Sequence, residues 1–335
     1  MGRDWNFNVK TFTRLLLLLA SLTAGCGGNN GPGPTPPIDP PQIACPADVT
    51  IREVSGIAQD VTYPAPTTTG GAAPVSVTCT PPSGSSFALG VTTANCVARD
   101  AQAREASCAF RVTVNGFALT AKKFLAAGDS LTEGQNGLPS IIDTPNAYPT
   151  KLNALLATFY PGQDTLVVNR GVSGLKVEEL EDRLPGMLVT DRPEAVLLMI
   201  GYNNLTLPCA PGLRNTVACS EAINHVAVGV RDCIRRIKES PVGVKYIFAS
   251  TLTPPGPTGR SRIDADAIVE TNNRMRIWIA AERATLVDSH AVFRGHEAEY
   301  VSPDGLHLLA AGYQAVADAF FAAIRSTIPQ TPQLR

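Results

Sequence analysis

Between about Ile43 and Val114, apolar and polar residues alternate in short runs: VTIREV, VTYPAP, VSVTCT, TTANCVA and CAFRVTV. Pro, Gly and Ser separate the runs. A period of two marks strands with one face on a core, so this segment predicts a small antiparallel sandwich. The pattern changes near Lys122. KFLAA, TLVVN, AVLLMI, KYIFAS and TLVD are continuous apolar runs, as expected of strands covered on both faces. Helical stretches fall between them: YPTKLNALLATF, VEELEDRLPGML, EAINHVAVGVRDCIRRIKES and DAIVETNNRMRIWIAAERA. Alternating strand and helix predicts an α/β region on a parallel sheet with helices on both faces. In such sheets, ligands sit just past the carboxyl ends of the strands.

Composition supports this division and narrows the partners. A chain of 335 residues is long enough for two domains, and 44% hydrophobic against 17% charged residues allows a sizeable core. The net charge of −1 gives no electrostatic case for a nucleic-acid partner. The dispersed cysteines and four scattered histidines show no metal-ligand spacing, so neither a metal nor a cofactor is expected.

The strand ends hold candidate chemistry. The first apolar run stops at GDSLTEG, which places Ser130 just past a strand. A serine hydroxyl needs a base to take its proton, and the base needs an orienting group. The developing oxyanion needs N–H donors. After the second strand, NRGVSG offers Gly171 and Gly174, whose backbone can pass close to a ligand. After the third strand, GYNN offers the side-chain amide of Asn203. Near the C-terminus, DGLH sets Asp304 and His307 three residues apart, one helical turn, so that the carboxylate can fix the imidazole. Asp129 is expected to tie the Ser130 turn by hydrogen bonds rather than to react. VDSH offers a rival pair, Asp288 and His290. His225 lies in a helical pattern, and GHEAEY lacks the second histidine of a metalloprotease helix.

Taken in order, GDSLTEG, NRGVSG, GYNN and DGLH resemble the four blocks of the GDSL or SGNH family of serine hydrolases, over residues 123 to about 325. The resemblance implies a three-layer α/β/α flavodoxin-like fold. It makes Ser130 the nucleophile, His307 the general base and Asp304 its orienter. Ser130 N–H, Gly174 N–H and Asn203 then form the oxyanion hole. Two positions depart from the pattern: Asn204 stands where the third block usually ends in aspartate, and Leu308 where proline often follows the histidine. The upstream segment, from CPADV through VTCTPPSGSSFALGVTTANCVARD to CAFRVTV, resembles the hyalin-repeat family of immunoglobulin-like extracellular modules. That resemblance implies the disulfide pairs Cys45–Cys108 and Cys79–Cys96.

The remaining cysteines and the N-terminus bear on location. Cys209 and Cys219 flank a Pro/Gly loop and could close it. Cys233 shares a helical face with Val226, Val230, Ile234 and Ile237, as an inert buried thiol would. Arg3, Lys10 and Arg14 precede LLLLLASLTA, an apolar run too short to span a bilayer, which reads as an export signal. LTAGC resembles the lipobox of bacterial lipoproteins, cut before Cys26, which is then lipidated; plain secretion is the alternative. Residues 27–42, GGNNGPGPTPPIDPPQ, form an extended spacer reaching roughly 50 Å. The organisation expected is a signal over 1–25, a linker over 27–42, a hyalin-repeat domain over 43–116 and a hydrolase domain over 122–328. The function expected is an exported serine esterase, lipid-anchored to the cell envelope. Its substrate would be an acylated glycan or a short-chain acyl ester. The hyalin-repeat domain could bind an extracellular polysaccharide or protein. Alternatives are a surface adhesin that binds esters or glycans without turnover, and an acyltransferase using the same acyl-enzyme.

Overall fold

The structure, a computed structural model, describes residues 37–54, 58–137, 141–257 and 262–332. The export signal, Cys26 and residues 27–36 of the spacer lie outside the described residues. From Pro40 onward the chain forms one compact unit.

An all-β region comes first. Its strands are β1 (Gln42–Ala44), β2 (Val49–Val54), β3 (Ala58–Asp60), β4 (Thr67–Thr69), β5 (Ser76–Thr80), β6 (Ser86–Ala88), β7 (Gly90–Arg99) and β8 (Glu105–Leu119). β7 and β8 form a long antiparallel hairpin and β5 adds to β7. Small two-stranded ladders, β1–β4 and β3–β6, complete the region. Alternation aims Ala94, Cys96, Phe110, Val112 and Val114 inward, where Val61, Tyr63 and Phe87 meet them. Tyr63 packs edge-on against Phe110 with ring centroids 4.8 Å apart. The disulfides Cys45–Cys108 and Cys79–Cys96 close this region.

The sandwich departs from the sequence expectation in two ways. VTYPAP is not a strand, because Pro64 and Pro66 have no N–H to give a ladder. Val61 N–H instead donates to the Ser85 carbonyl (3.1 Å) and Tyr63 N–H to Ser83 Oγ (2.9 Å). Nor is the sheet wholly antiparallel: β2 pairs parallel with β8.

The α/β region follows. It contains β9 (Lys123–Gly128), α1 (Ser130–Glu133), α2 (Tyr148–Phe159), β10 (Leu166–Gly171), α3 (Val177–Asp191), β11 (Ala195–Met199), α4 (Tyr202–Leu205) and α5 (Val217–Glu239). It continues with β12 (Tyr246–Ser250), α6 (Ala265–Ala281), β13 (Thr285–Val287), α7 (Ser289–Phe293), α8 (Glu297–Tyr300), α9 (Ala310–Thr327) and β14 (Gln330–Pro332). Five parallel strands form the sheet in the order β10-β9-β11-β12-β13. In chain order of these strands that is the flavodoxin-like arrangement, with its switch point at the carboxyl end of β9. α5 packs with both α3 and α6, whereas α2 packs with α9, the division between two faces that right-handed crossovers give this strand order. The interior strands are buried on both faces as their apolar runs require, every residue of β11 and all but the first of β9 and β12. The edge strands β10 and β13 are partly exposed.

The two regions share a sheet edge. β14 pairs antiparallel with Phe117–Leu119 at the end of β8. Beside it, the buried Gln163 holds both backbone groups of Leu119: Leu119 N–H donates to Oε1 (2.8 Å) and Nε2 donates to the Leu119 carbonyl (3.0 Å).

Candidate active site

The switch point is built from the turn at the end of β9. Asp129 caps α1, its Oδ1 accepting from Leu131 N–H at 3.0 Å. Ser130 therefore occupies the first position of a helix of four residues, and its N–H makes no hydrogen bond among the described residues. The side chain of Asp129 is fully buried, and Oδ2 finds no partner among the described residues. Burial raises its carboxyl to about 7, against the opposing pull of Leu131 N–H and the nearby His307. Asp129 thus ties the turn through Oδ1, and the backbone N–H of Gly201 also acts on its carboxylate.

Strand pairing sets a glycine loop on one side of Ser130 and the GYNN turn on the other, because β9 lies between β10 and β11. At Gly171 there is no room for a side chain: a Cβ would sit 2.1 Å from Glu133 N in α1. Gly174 adopts φ +80°, the left-handed region that favours glycine, and faces open space. Its N–H makes no hydrogen bond among the described residues. On the far side, Asn203 Nδ2 donates one hydrogen to the Leu175 carbonyl at 2.9 Å, which leaves a second hydrogen to offer. Asn204 accepts from Val177 N–H at 3.0 Å through Oδ1. The asparagine turn thus holds the glycine loop by two bonds, and the loss of the usual aspartate leaves Asn203 anchored.

The last block reaches over from the C-terminal side. His307 Nε2 lies 3.0 Å from Ser130 Oγ, and His307 Nδ1 lies 2.6 Å from Asp304 Oδ2. The three side chains form one line, with Ser130 and His307 both buried. Residues 302–308 are not helical, so the three-residue spacing works by another route. Asp304 Oδ1 accepts from the N–H groups of Leu306 and His307, each at 3.0 Å, and folds the chain into a turn that returns the imidazole to Oδ2. Burial alone would raise the Asp304 carboxyl, but its bonds to the His307 ring and to these two amides outweigh it and hold it below the usual range. Leu308 is buried and bridges Val301.

The other candidates lie apart from this line. Asp288 caps α7 and pairs with Arg276 at 3.0 Å, and His290 follows it beyond β13. That strand is three places from β9, roughly 14 Å across the sheet. His296 stacks on Tyr300. His225 makes a contact the sequence did not reveal, 3.0 Å from Glu178 Oε2. Cys209 and Cys219 form a disulfide, and the buried Cys233 is left as a free thiol that burial pushes up.

Comparison with known proteins agrees with this architecture. Residues 126–315 match the GDSL-like Lipase/Acylhydrolase family, and residues 37–114 match the HYR domain. Over 88 residues, 25% of this chain, the sequence is 32% identical to an acetylxylan esterase of Geobacillus stearothermophilus. The chain spans 40% of the length of that curated relative. Similar solved structures include an alpha/beta hydrolase enzyme from the metagenome of Lake Arreo, Spain (24% identity, 62% of this chain and 97% of that chain, TM-score 0.49). A lipase/acylhydrolase from Enterococcus faecalis is another (20% identity, 64% and 100%, TM-score 0.49). The acetylxylan esterase structure from Geobacillus stearothermophilus is a third (23% identity, 61% and 94%, TM-score 0.49).

Proposed function

Because the chain belongs to the GDSL-like Lipase/Acylhydrolase family and carries an N-terminal HYR domain, we propose that it is a serine esterase that removes short acyl groups from carbohydrate. The observation that carries this reading is the unbroken line from Ser130 Oγ through His307 to Asp304. His307 Nε2 takes the hydroxyl proton as Ser130 Oγ bonds to the ester carbonyl carbon. The carbonyl oxygen becomes an oxyanion facing the N–H groups of Ser130 and Gly174 and the second hydrogen of Asn203 Nδ2. His307 then gives the proton to the leaving alkoxide as the C–O bond breaks. Water, deprotonated by the same imidazole, attacks the acyl carbon; the bond to Ser130 Oγ breaks, Oγ takes the proton back from His307, and the acid is freed. The carboxylate of Asp304 fixes the imidazole and balances its charge in both steps.

The substrate class draws on two supports. The chain is similar to an acetylxylan esterase over part of its length. An open groove of about 650 Å³ includes Asn204, the neighbour of Asn203 in sequence; Lys176, Glu221, Asn224 and His225 line it together with Pro208 and small apolar residues. These hydrogen-bonding groups suit a hydroxyl-rich leaving group. An exported location fits the three disulfides, which persist in oxidising compartments. A lipid anchor at Cys26, a stalk over 27–42, a HYR domain over 43–116 and a hydrolase domain over 122–328 complete the proposed organisation. The HYR domain would then hold the enzyme near an extracellular polysaccharide.

The test is release of acetate from acetylated xylo-oligosaccharide and from a p-nitrophenyl series, acetate to palmitate, by wild type and Ser130→Ala. Activity confined to short acyl chains and abolished in the variant is expected. Activity that survives Ser130→Ala would overturn the mechanism, and a preference for palmitate would overturn the substrate class.

A further inference from the structure

The geometry points to Glu178 as a positioning residue for the oxyanion donors, acting through Asn204; this rests on the esterase reading above and extends it. Asn203 and Asn204 hold the loop that carries Gly174, one bonding the Leu175 carbonyl and the other the Val177 N–H. With Asn204 Oδ1 turned to Val177 N–H, its Nδ2 faces an acceptor on the other side, which fixes the orientation of the amide. That acceptor is Glu178 Oε2, at 2.7 Å. The same oxygen receives His225 Nε2 from α5 at 3.0 Å. A chain of three side chains from three helices therefore ends on the turn that presents Asn203.

Glu178 sits in the first turn of α3, where the helix N-terminus favours a negative group. Burial alone would raise its carboxyl. Its own helix-terminal N–H, His225 and Asn204 outweigh that and hold it below the usual range, so it is charged at neutral pH. A charged carboxylate there constrains position 204. The side chain must accept from Val177 and donate to Glu178, which an amide does and a carboxylate does not. An aspartate at 204 would face Glu178 at hydrogen-bonding distance, and two such carboxylates do not both ionise without cost. The asparagine that departs from the usual pattern of this block is thus the residue that Glu178 requires.

The test is a charge exchange read with p-nitrophenyl acetate, a substrate too small to reach far along the groove. Asn204→Asp is expected to lower kcat roughly 10- to 100-fold with KM within about twofold, since a displacement near 1 Å is enough for such a loss. Adding Glu178→Gln reverses the polarity of the bond, the amide now donating to the carboxylate. The double variant should recover to within about fivefold of wild type. Melting curves establish that each variant is folded. If Asn204→Asp does not fold, Glu178→Ala serves instead: kcat should fall with KM unchanged, and Glu178→Gln should restore it. An active wild type with Asn204→Asp within twofold of it, or a double variant no better than the single, would overturn the proposal alone. An inactive wild type would overturn the esterase reading, and the proposal with it.

Discussion

At the scale of the residue, Asp129 makes a pH-dependent prediction. Its folded carboxyl is raised from 3.8 to about 7 by burial, so between those values the native state keeps a proton the unfolded chain has released. Stability therefore falls as the pH rises from about 4 to about 7, and stays reduced above that. Asp129→Asn keeps the oxygen that accepts Leu131 N–H and removes the titration. The variant should melt higher than wild type at pH 8, and the two should converge near pH 4. An equal difference at both pH values would refute the assignment. Asp304 acts with the opposite sign: its folded value lies below 3.8, so its contribution is full above that and is lost as the pH falls through the folded value. Asn203 carries the catalytic prediction at this scale. Asn203→Ala should cost about 100- to 1,000-fold in kcat, against only about 1 kcal/mol of stability for the lost bond to Leu175; steady-state kinetics and thermal melting separate the two. Ser130, Gly174 and Asn203 were legible in the sequence because each lies in a short block just past a strand, and Asp304 and His307 because they share the short block DGLH before the last helix. How Asp304 reaches His307 was not, since a turn through two backbone amides looks the same in sequence as a turn of helix. The Glu178–His225 contact was not legible either, because it joins side chains on different helices, 47 residues apart.

At the scale of the element, the interior strands were readable because burial on both faces leaves no polar position to break the run, as in AVLLM. The edge strand β10 was read as if it were interior, yet Leu166 is 48% exposed: an apolar residue at an edge is permitted but not covered. VTYPAP misled for a different reason. Its alternation is real and buries Val61 and Tyr63, but its prolines deny the ladder. The pairing of β14 with β8 had no local signal at all, since QTP carries neither alternation nor an apolar face. Its effect can be measured. Removing residues 329–335 leaves the Phe117–Leu119 edge open while keeping the buried Ile328. Hydrogen exchange at Thr120, whose N–H donates to the Pro329 carbonyl, should quicken and the melting temperature fall, with esterase activity at 25 °C retained. Unchanged exchange there would mean that Gln163 alone holds the end of β8.

At the scale of the whole molecule, two regions of unequal strength share one chain. The α/β core gathers buried residues from five strands and both helical layers, whereas the all-β core is formed by Val61, Tyr63, Phe87, Ala94, Cys96, Phe110, Val112 and Val114. A core that small depends on covalent closure. The Cys45–Cys108 bridge closes a sequence separation of 63, for which chain entropy gives about 4 kcal/mol. That is comparable to what so small a core supplies on its own, so Cys45→Ser with Cys108→Ser should release the all-β region first. Calorimetry of the double variant should show two transitions, the lower one absent from wild type. Hydrolysis of p-nitrophenyl acetate should persist through the lower transition, because Ser130, Asp304, His307 and the loops that hold them all lie in the α/β region. Loss of activity with the first transition would place the all-β region within the working enzyme: the continuity of β8 and its pairing with β14 would then transmit order to the catalytic sheet, rather than merely join one module to the next.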